Sequence, residues 1–277
     1  MKPFRFTLIS LFLVVPTVAF AQSTDEWSAA VLKSLERRQP IPAMGADSYN
    51  ATERQAYEVQ KIVVEKLIAG GDEPVGHKAG LTSEAAQAKF DVFEPVAGAL
   101  LKSHVKNTGT FVSRRQFKGM MVEMEIGFEL KLSIRAEPRD VEELKSKVRQ
   151  ILPIVELPNI HFDPSDKVSG LDVIASNVAA ATVIKGRAKP IGTIDLNEIE
   201  ATLTLDKEVI AEGVGSDAMG DQWEALLWLV RQRLRDGYEV KRNDLLITGA
   251  LGQVVPAESG RYVADFGKLG RVTFSMR

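Results

Sequence analysis

The sequence predicts an α+β protein, a single domain of interspersed strands and helices preceded by a helical N-terminal arm. Three observations lead to this fold class. Apolar residues recur at helical spacing before residue 70, strand patterns dominate after Pro74, and the two do not alternate in a regular βαβ order. The chain has 277 residues, of which 45% are hydrophobic and 26% charged, so it can bury a sizeable core.

The first 21 residues have the pattern of a signal peptide. Lys2 and Arg5 form a basic start, the uncharged apolar run 6–15 follows, and Ala19-Phe20-Ala21 supplies small residues before a cleavage point. A permanent membrane helix needs about 20 apolar residues, so an uncleaved anchor is the weaker alternative. We therefore expect cleavage after Ala21 and an exported, periplasmic protein with no membrane attachment after cleavage.

Charge and cysteine content exclude several classes of function. Without Lys2 and Arg5, the 35 basic residues become 33, against 37 acidic residues, so no basic field indicates nucleic-acid binding. The chain contains no cysteine, which excludes disulfides, iron–sulfur clusters and thiolate zinc sites. Any metal must therefore be bound by oxygen atoms or by the three histidines.

Two helices are predicted in the arm. The first, over 25–39, has Trp27 and Val31 on its apolar side. The second is predicted to begin at Asn50 with Glu53 completing a capping box, and to end at Gly70-Gly71. We expect this arm to occupy residues 22–70 and the catalytic domain to occupy residues 71–277.

The domain is predicted to begin with a short strand in "PVGHKAGL", followed by a helix over 83–90. The remaining elements in order are the strand 121–130, the helix "DVEELKSKVRQIL" capped by Asp140, the buried strand "ILPIVELP", the hairpin "IEATLTLDKEVIAEG" turning at Asp206-Lys207, the helix "QWEALLWLVRQRLRDG", and C-terminal strands in "NDLLITGALG" and "GRYVADFGKLGRVTFSMR". The segment "VIASNVAAATVIKG" is small and apolar, and its pattern favours neither a helix nor a strand.

The strand "MVEMEIGFEL" places Glu123, Glu125, Gly127 and Glu129 on one face, because successive side chains in a strand point to opposite faces. Acidic residues on the polar face of a half-buried strand are common, so a solvated face is one interpretation. The other is that Glu123 and Glu125 hold a cation and that Gly127 leaves space beside them. Glu129 is interpreted either as a solvated residue or as a residue that contacts the metal ligands without binding the metal itself.

Glu156 favours the interpretation in which these carboxylates hold a cation. It lies in the apolar run "ILPIVELP", where an unpaired carboxylate costs several kcal/mol of stability. A salt bridge to a buried lysine or arginine is the alternative explanation. Three carboxylates from two strands suit Mg²⁺ or Mn²⁺ with open positions for substrate oxygens. We predict a metal site formed by Glu123, Glu125 and Glu156.

Further polar groups are candidates for catalysis or substrate binding. Lys78 stands between glycines and could bind a substrate carboxylate or move a proton, although a surface lysine beside a turn would look the same. The backbone N–H groups of Gly249-Ala250-Leu251 could receive a carboxylate, as could those of many strand ends. Asp172 and Asn177 are either helix caps or polar groups lining a pocket.

These motifs together resemble a known family. "GHKAGLTS", "VEMEIGFEL", "ILPIVELP", "LDVIASN" and "DLLITGALG" occur in the order and spacing of the 2-keto-4-pentenoate hydratases, of the fumarylacetoacetate hydrolase superfamily. The resemblance covers roughly residues 50 to 277. It implies a β-rich roll of curved sheets with peripheral helices, and a dimer or higher homo-oligomer.

The resemblance also implies a mechanism. Glu123, Glu125 and Glu156 would hold Mg²⁺ or Mn²⁺, Lys78, Asp172 and Asn177 would be catalytic, and Gly249, Ala250 and Leu251 would bind the substrate. The substrate would be a small 2-oxo or 2-hydroxydienoic acid from the breakdown of aromatic compounds, such as 2-hydroxypenta-2,4-dienoate. The metal would stabilise an enolate before water is added.

Two departures from the family leave the reaction open. Ser103 and Ser176 stand where the hydratases have aspartates, and a hydroxyl cannot act as a carboxylate base. Hydratase (lyase) chemistry is the favoured prediction. The alternatives are C–C hydrolysis or decarboxylation of an acylpyruvate or 2-oxo acid, and a non-catalytic exported protein that binds oxo acids.

Overall fold

The computed structural model of the protein describes residues 23–44, 51–192 and 194–277. The predicted signal peptide and Asn50 lie outside these residues. The described part of the chain forms the α-helices α1 (Thr24–Arg37), α2 (Glu53–Ala69), α3 (Glu84–Lys89), α4 (Val141–Lys145), α5 (Gly170–Ala175) and α6 (Gln222–Arg235). No helix in these ranges has the length and apolar character needed to cross a membrane.

The strands form two sheets, and the predicted α+β class is confirmed. The larger sheet has the order β2-β1-β11-β5-β6-β7-β3, with β12 beside β5 and β8 beside β6, and the smaller has the order β10-β9-β13-β14-β4. The strands are β1 (Pro74–Gly80), β2 (Val96–Leu101), β3 (Val105–Asn107), β4 (Thr110–Val112), β5 (Met121–Leu130), β6 (Val148–Leu157), β7 (Thr182–Lys185), β8 (Lys189–Pro190), β9 (Glu200–Leu205), β10 (Glu208–Val214), β11 (Leu245–Ile247), β12 (Leu251–Pro256), β13 (Gly260–Asp265) and β14 (Arg271–Met276).

The larger sheet is strongly curved. Strands β2 and β3 stand at opposite ends of its strand order, yet only the three residues Lys102–His104 join them. Six strand spacings of about 4.8 Å would separate these strands by roughly 29 Å in a flat sheet. A connection of this length spans at most about 14 Å. The sheet therefore curls until its ends approach each other, which agrees with the expected roll of curved sheets.

The two faces of β5 have different surroundings. One face contributes Val122, Met124, Ile126, Phe128 and Leu130 to the main hydrophobic core, which also includes α6 and the smaller sheet. The other carries the glutamates and Gly127. The expected space at Gly127 is filled by Ile154, since a Cβ there would lie 2.7 Å from Ile154 Cγ1.

The helical arm packs against the domain through a second hydrophobic cluster, which joins Trp27 of α1 and Val59 of α2 to Ile174 of α5. The cap predicted for α2 was wrong, because Thr52 caps this helix and Gln55 completes the capping box. Helix α4 is also shorter than predicted. The chain from Val148 pairs with β5 instead, because strand pairing buries these apolar residues on both faces.

Candidate metal centre

Strand pairing brings three carboxylates together. Glu123 on β5 lies opposite Glu156 on β6, and Glu125 lies two residues further along the same face of β5. One oxygen of each carboxylate lies within 4.8 Å of the other two. Glu125 and Glu156 are buried, and Glu123 is partly exposed. The structure thus gathers the three residues that the sequence singled out as metal ligands.

The oxygen atoms of this group fit a divalent cation. Glu125 Oε2 accepts a hydrogen bond from the Gly249 backbone N–H at 2.8 Å. Glu125 Oε1 and Glu156 Oε2 are buried and have no hydrogen-bond partner among the described residues. Leaving a buried carboxylate oxygen without a partner is costly and therefore rare in folded proteins. An oxygen-preferring cation such as Mg²⁺ or Mn²⁺ would satisfy both atoms.

The carboxylates also disfavour one another's ionisation. Burial and then the charge of Glu156 raise the pKa of Glu123 from its ordinary value of 4.5 to about 7. Burial, together with the charges of Glu156 and Glu123, raises the pKa of Glu125 well above its ordinary value. Without a cation, the group therefore retains protons that cation binding would release.

Lys78 on β1 is the buried cation beside the three carboxylates. Its Nζ donates to Glu156 Oε1 at 2.5 Å and to the Val178 carbonyl at 2.9 Å. Burial lowers the pKa of Lys78, but the charges of Glu156 and the other two glutamates outweigh burial and raise it overall. Lys78 is therefore an ammonium at neutral pH. Both explanations offered for a carboxylate at position 156 therefore apply, since Glu156 has a buried lysine partner and also belongs to the carboxylate group.

The carbonyl that binds Lys78 belongs to a strained turn. Asn177, Val178 and Ala179 have φ values of 58°, 53° and 54°. This left-handed conformation is unfavourable for residues with a side chain, particularly β-branched ones such as valine. Asn177 stabilises the turn, because its Oδ1 accepts from the Ala99 N–H at 2.7 Å and its Nδ2 donates to the Ala99 carbonyl at 2.9 Å. These contacts are those of a residue that holds the turn in place, and a catalytic role for Asn177 stays a prediction.

Asp172 is engaged in local structure. Its Oδ2 accepts from the backbone N–H of Ser169 at 2.9 Å and from its hydroxyl at 2.7 Å, which forms the capping box of α5. Its Oδ1 accepts from the Met44 N–H at 2.7 Å. These contacts support the helix-cap interpretation and tie α5 to the segment after α1. A catalytic role for Asp172 stays a prediction.

The segment Gly249–Leu251 adjoins the metal centre, but one of its N–H groups is already used. The Gly249 N–H is directed at Glu125, where it orients a candidate metal ligand. Gly249 has a φ of 103°, and a Cβ there would lie 2.3 Å from Thr82 Oγ1, so the position requires glycine. Leu251 begins β12 opposite Met124. Substrate binding by this segment stays a prediction.

Glu129 lies at the other end of β5, away from the three carboxylates. The interpretation as a solvated residue was wrong, because Glu129 is buried and forms ion pairs with Arg149 at 2.9 Å and Lys185 at 3.5 Å. Burial raises its pKa, but the hydrogen bonds from Gln150 and Arg149 outweigh burial and lower it overall. Glu129 is therefore part of an ion-pair cluster.

The serines at the two departures from the family are both held by hydrogen bonds. Ser103 Oγ donates to Asp72 Oδ2 at 2.5 Å, and the Ser103 N–H donates to Asp72 Oδ1 at 3.1 Å. Ser176 Oγ donates to the Val173 carbonyl at 3.0 Å. Sequence reasoning missed Asp72, which brings a carboxylate to Ser103 from 31 residues away in the chain. Sequence reasoning also missed that the Val178 carbonyl accepts a hydrogen bond from Lys78. The adjacent Asn177 was the one residue of this turn that the sequence singled out.

No family model matches the chain. It is 31% identical to the 2-keto-4-pentenoate hydratase of Burkholderia vietnamiensis over 224 residues, which are 79% of this chain and 85% of that protein. It is 28% identical to the 2-keto-4-pentenoate hydratase of Paraburkholderia phymatum over 253 residues, 91% of this chain and 96% of the relative.

Solved structures show the same fold. The 4-oxalocrotonate decarboxylase of Pseudomonas putida G7, complexed with magnesium and adipate, has a TM-score of 0.86 at 21% identity and covers 92% of this chain and 97% of its own. The fumarylpyruvate hydrolase of Pseudomonas aeruginosa, in complex with Mn²⁺ and pyruvate, has a TM-score of 0.58 at 13% identity and covers 73% of this chain and 88% of its own.

Proposed function

Because the chain belongs to the 2-keto-4-pentenoate hydratase family, we propose that it is a metal-dependent hydratase (lyase) of a small 2-oxo or 2-hydroxydienoic acid such as 2-hydroxypenta-2,4-dienoate. The family is one of enzymes, so the chain is an enzyme and its particular reaction is the proposal. The convergence of Glu123, Glu125 and Glu156 beside Lys78 is the observation that carries it.

Glu123, Glu125 and Glu156 would hold Mg²⁺ or Mn²⁺, and fold neighbours complexed with magnesium and with Mn²⁺ support a divalent cation. When bound, the cation supplies Lewis acidity that stabilises negative charge developing on the 2-oxygen of the substrate. The Gly249 N–H binds Glu125 and the Lys78 ammonium binds Glu156, so two of the three carboxylates are held in place. The ligands are therefore pre-organised before a substrate arrives.

Lys78 would serve as a cation and a proton donor, because its raised pKa keeps the Nζ protonated at neutral pH. In this form it stabilises negative charge on the substrate and can give a proton to a developing carbanion. The strained turn keeps the Nζ beside Glu156 through the Val178 carbonyl.

A second candidate reaction follows from Ser103 and Ser176. Their hydroxyls bond to Asp72 and to the Val173 carbonyl, so neither supplies a carboxylate base of its own. This favours decarboxylation of a 2-oxo acid as the alternative, because loss of CO₂ uses the same stabilisation of negative charge and needs no base to remove a proton from the substrate. C–C hydrolysis of an acylpyruvate is the other alternative, and it still needs a base for the attacking water.

The test is an assay with 2-hydroxypenta-2,4-dienoate and Mg²⁺, with the product analysed by mass spectrometry. A product heavier by one water and not cleaved supports hydration, whereas loss of CO₂ or a C–C cleavage product supports the alternative. Glu156→Gln should abolish turnover, and Glu208→Gln on the exposed strand β10 should leave it unchanged. Turnover that survives Glu156→Gln would reject the proposed site.

Location and assembly belong to the same proposal. We propose that the protein is exported to the periplasm, on the pattern of residues 1–21, and that it forms a homodimer or a higher homo-oligomer. Cell fractionation with N-terminal sequencing of the secreted form tests export, and light scattering of the purified protein tests assembly. A full-length cytoplasmic protein would overturn the first proposal and a monomer the second.

A further inference from the structure

Strand β2 is a buried edge of the larger sheet, and side chains bind its outer edge. Among the strands that the structure describes it pairs with β1 alone, and all six of its residues are buried. Buried backbone groups need hydrogen-bond partners, which an edge strand lacks on one side. The Ala97 N–H donates to Tyr57 Oη at 3.0 Å. The Ala97 carbonyl accepts from Gln60 Nε2 at 2.8 Å and from Arg233 Nη1 at 3.1 Å. Side chains of α2 and α6 thus hold this point of the edge.

The bound positions of β2 flank the residue that faces Lys78. In the pairing of β1 with β2, Lys78 lies opposite Gly98. Ala97 is held by the three side chains above, and Ala99 is held by Asn177 of the strained turn. The strand beside Lys78 is therefore fixed at both neighbours of Gly98.

Gln60 joins this strand to the turn that binds Lys78. Its Nε2 donates a second hydrogen bond to the Ile174 carbonyl of α5 at 2.9 Å. The same carbonyl accepts from the N–H of Asn177, the first residue of the turn, at 3.0 Å. The next residue, Val178, supplies the carbonyl that binds the Lys78 Nζ. Gln60 therefore contacts both structures that place the lysine, which are the strand beside it and the helix end that carries its acceptor.

The Gln60 amide is itself held in one orientation. Gln60 is fully buried, and its Oε1 accepts from Arg233 Nη2 at 3.1 Å. Arg233 is also fully buried, and its guanidinium donates to Asp236 Oδ2 at 3.0 Å and lies 3.9 Å from the ring centroid of Tyr238. A guanidinium only donates hydrogen bonds, so it fixes the amide oxygen on its own side. Both amide hydrogens then point to the carbonyls of β2 and α5.

We propose that Gln60 is a positioning residue for Lys78, and that the helical arm thereby takes part in turnover. The inference rests on the proposed function, because it assumes that Lys78 acts on the substrate. A glutamine that only attached the arm to the domain would affect stability and leave kcat unchanged. A displacement of Lys78 by about 1 Å would lower kcat, because a pre-organised site depends steeply on geometry.

The experiment compares Gln60→Met and Gln60→Glu with the wild type, each as the full chain. Methionine has a similar length and removes all three hydrogen bonds of the amide, whereas glutamate keeps an acceptor for Arg233 and removes the amide donors. With 2-hydroxypenta-2,4-dienoate and Mg²⁺, both variants should lower kcat at least about tenfold and keep KM within about threefold of the wild type. Val31→Ala on α1 is the control, because it removes buried packing from the same arm and should keep the wild-type kcat.

Crystal structures of the metal-free wild type and of the two variants give a readout that does not depend on turnover. The Lys78 Nζ should bind the Val178 carbonyl in the wild type and should lie about 1 Å or more further from it in both variants. An unmoved lysine, or a wild-type kcat in either folded variant, would overturn the inference and leave the proposed function intact. A wild type without turnover would overturn the proposed function, and the position of the lysine in the variants would then decide whether Gln60 places it.

Discussion

Replacing Glu123 by glutamine should stabilise the metal-free protein. Glu123 lies opposite Glu156 and shares its strand face with Glu125, so it adds a third carboxylate to a buried group that already has two. Its pKa is raised from 4.5 to about 7, because burial and then Glu156 disfavour the ionised form. Glutamine keeps the shape of the side chain and removes the charge.

The size and sign of the effect follow from this pKa. A folded-state pKa above the unfolded value destabilises the protein as pH rises from 4.5 to about 7, and the loss is complete by pH 8. At about 1.4 kcal/mol per pKa unit, the rise corresponds to about 3 kcal/mol. Partial solvent exposure of Glu123 reduces this to about 2 kcal/mol. The variant should therefore be more stable than the wild type at pH 8, and the difference should vanish near pH 4.5.

Urea unfolding at pH 8 and pH 5, with EDTA and with saturating Mg²⁺, measures this directly. With EDTA at pH 8 the variant should gain about 2 kcal/mol, whereas Glu208→Gln on β10 should change stability by less than about 0.5 kcal/mol. Mg²⁺ should stabilise the wild type more than the variant, because a metal ligand is missing. A variant that is less stable at pH 8 with EDTA, and equally stabilised by Mg²⁺, would refute the reasoning.

Three further substitutions test the surroundings of the metal centre. Lys78→Met should lower kcat/KM by about 100-fold or more, and unchanged turnover would contradict the role of the lysine. The same variant should destabilise the EDTA-treated protein by about 3 kcal/mol in urea unfolding, because it leaves buried carboxylates without a counter-ion. Gly127→Ala should cost about 1–3 kcal/mol through its clash with Ile154. Ile154→Ala in the same chain removes the clashing atoms, so the double variant should lose less stability than the sum of the two single losses. An unaltered melting temperature for Gly127→Ala alone would contradict the packing. Asn177→Ala should lower stability by about 2 kcal/mol, because it removes two buried hydrogen bonds from a strained turn. It should also reduce kcat more than KM. A variant with wild-type kcat would show that the turn does not position Lys78.

The metal ligands could be predicted because their signal is local. Glu123 and Glu125 follow from the two-residue period of a strand, and Glu156 from the cost of a carboxylate in an apolar run. Glu156 lies opposite Glu123 because β5 and β6 pair in one particular register. The sequence of neither strand specifies that register alone.

The features that sequence reasoning missed depend on tertiary structure. The residues after Lys147 fit a helical pattern, but pairing with β5 extends them as β6. The left-handed turn at 177–179 exists because Ala99 and Lys78 bind it from other strands. The partner of Ser103, Asp72, is distant in the chain and is brought near by the β1–β2 pairing. The amino-acid composition of a short segment does not predict these contacts.

The most direct test of the metal centre is an anomalous difference map from crystals of the protein soaked with Mn²⁺ and pyruvate. The account predicts one Mn²⁺ peak within coordination distance of Glu123, Glu125 and Glu156, with the 2-oxo and carboxylate oxygens of pyruvate beside it. A map in which the three carboxylates bind no metal, or in which Mn²⁺ and pyruvate occupy separate sites, would contradict it.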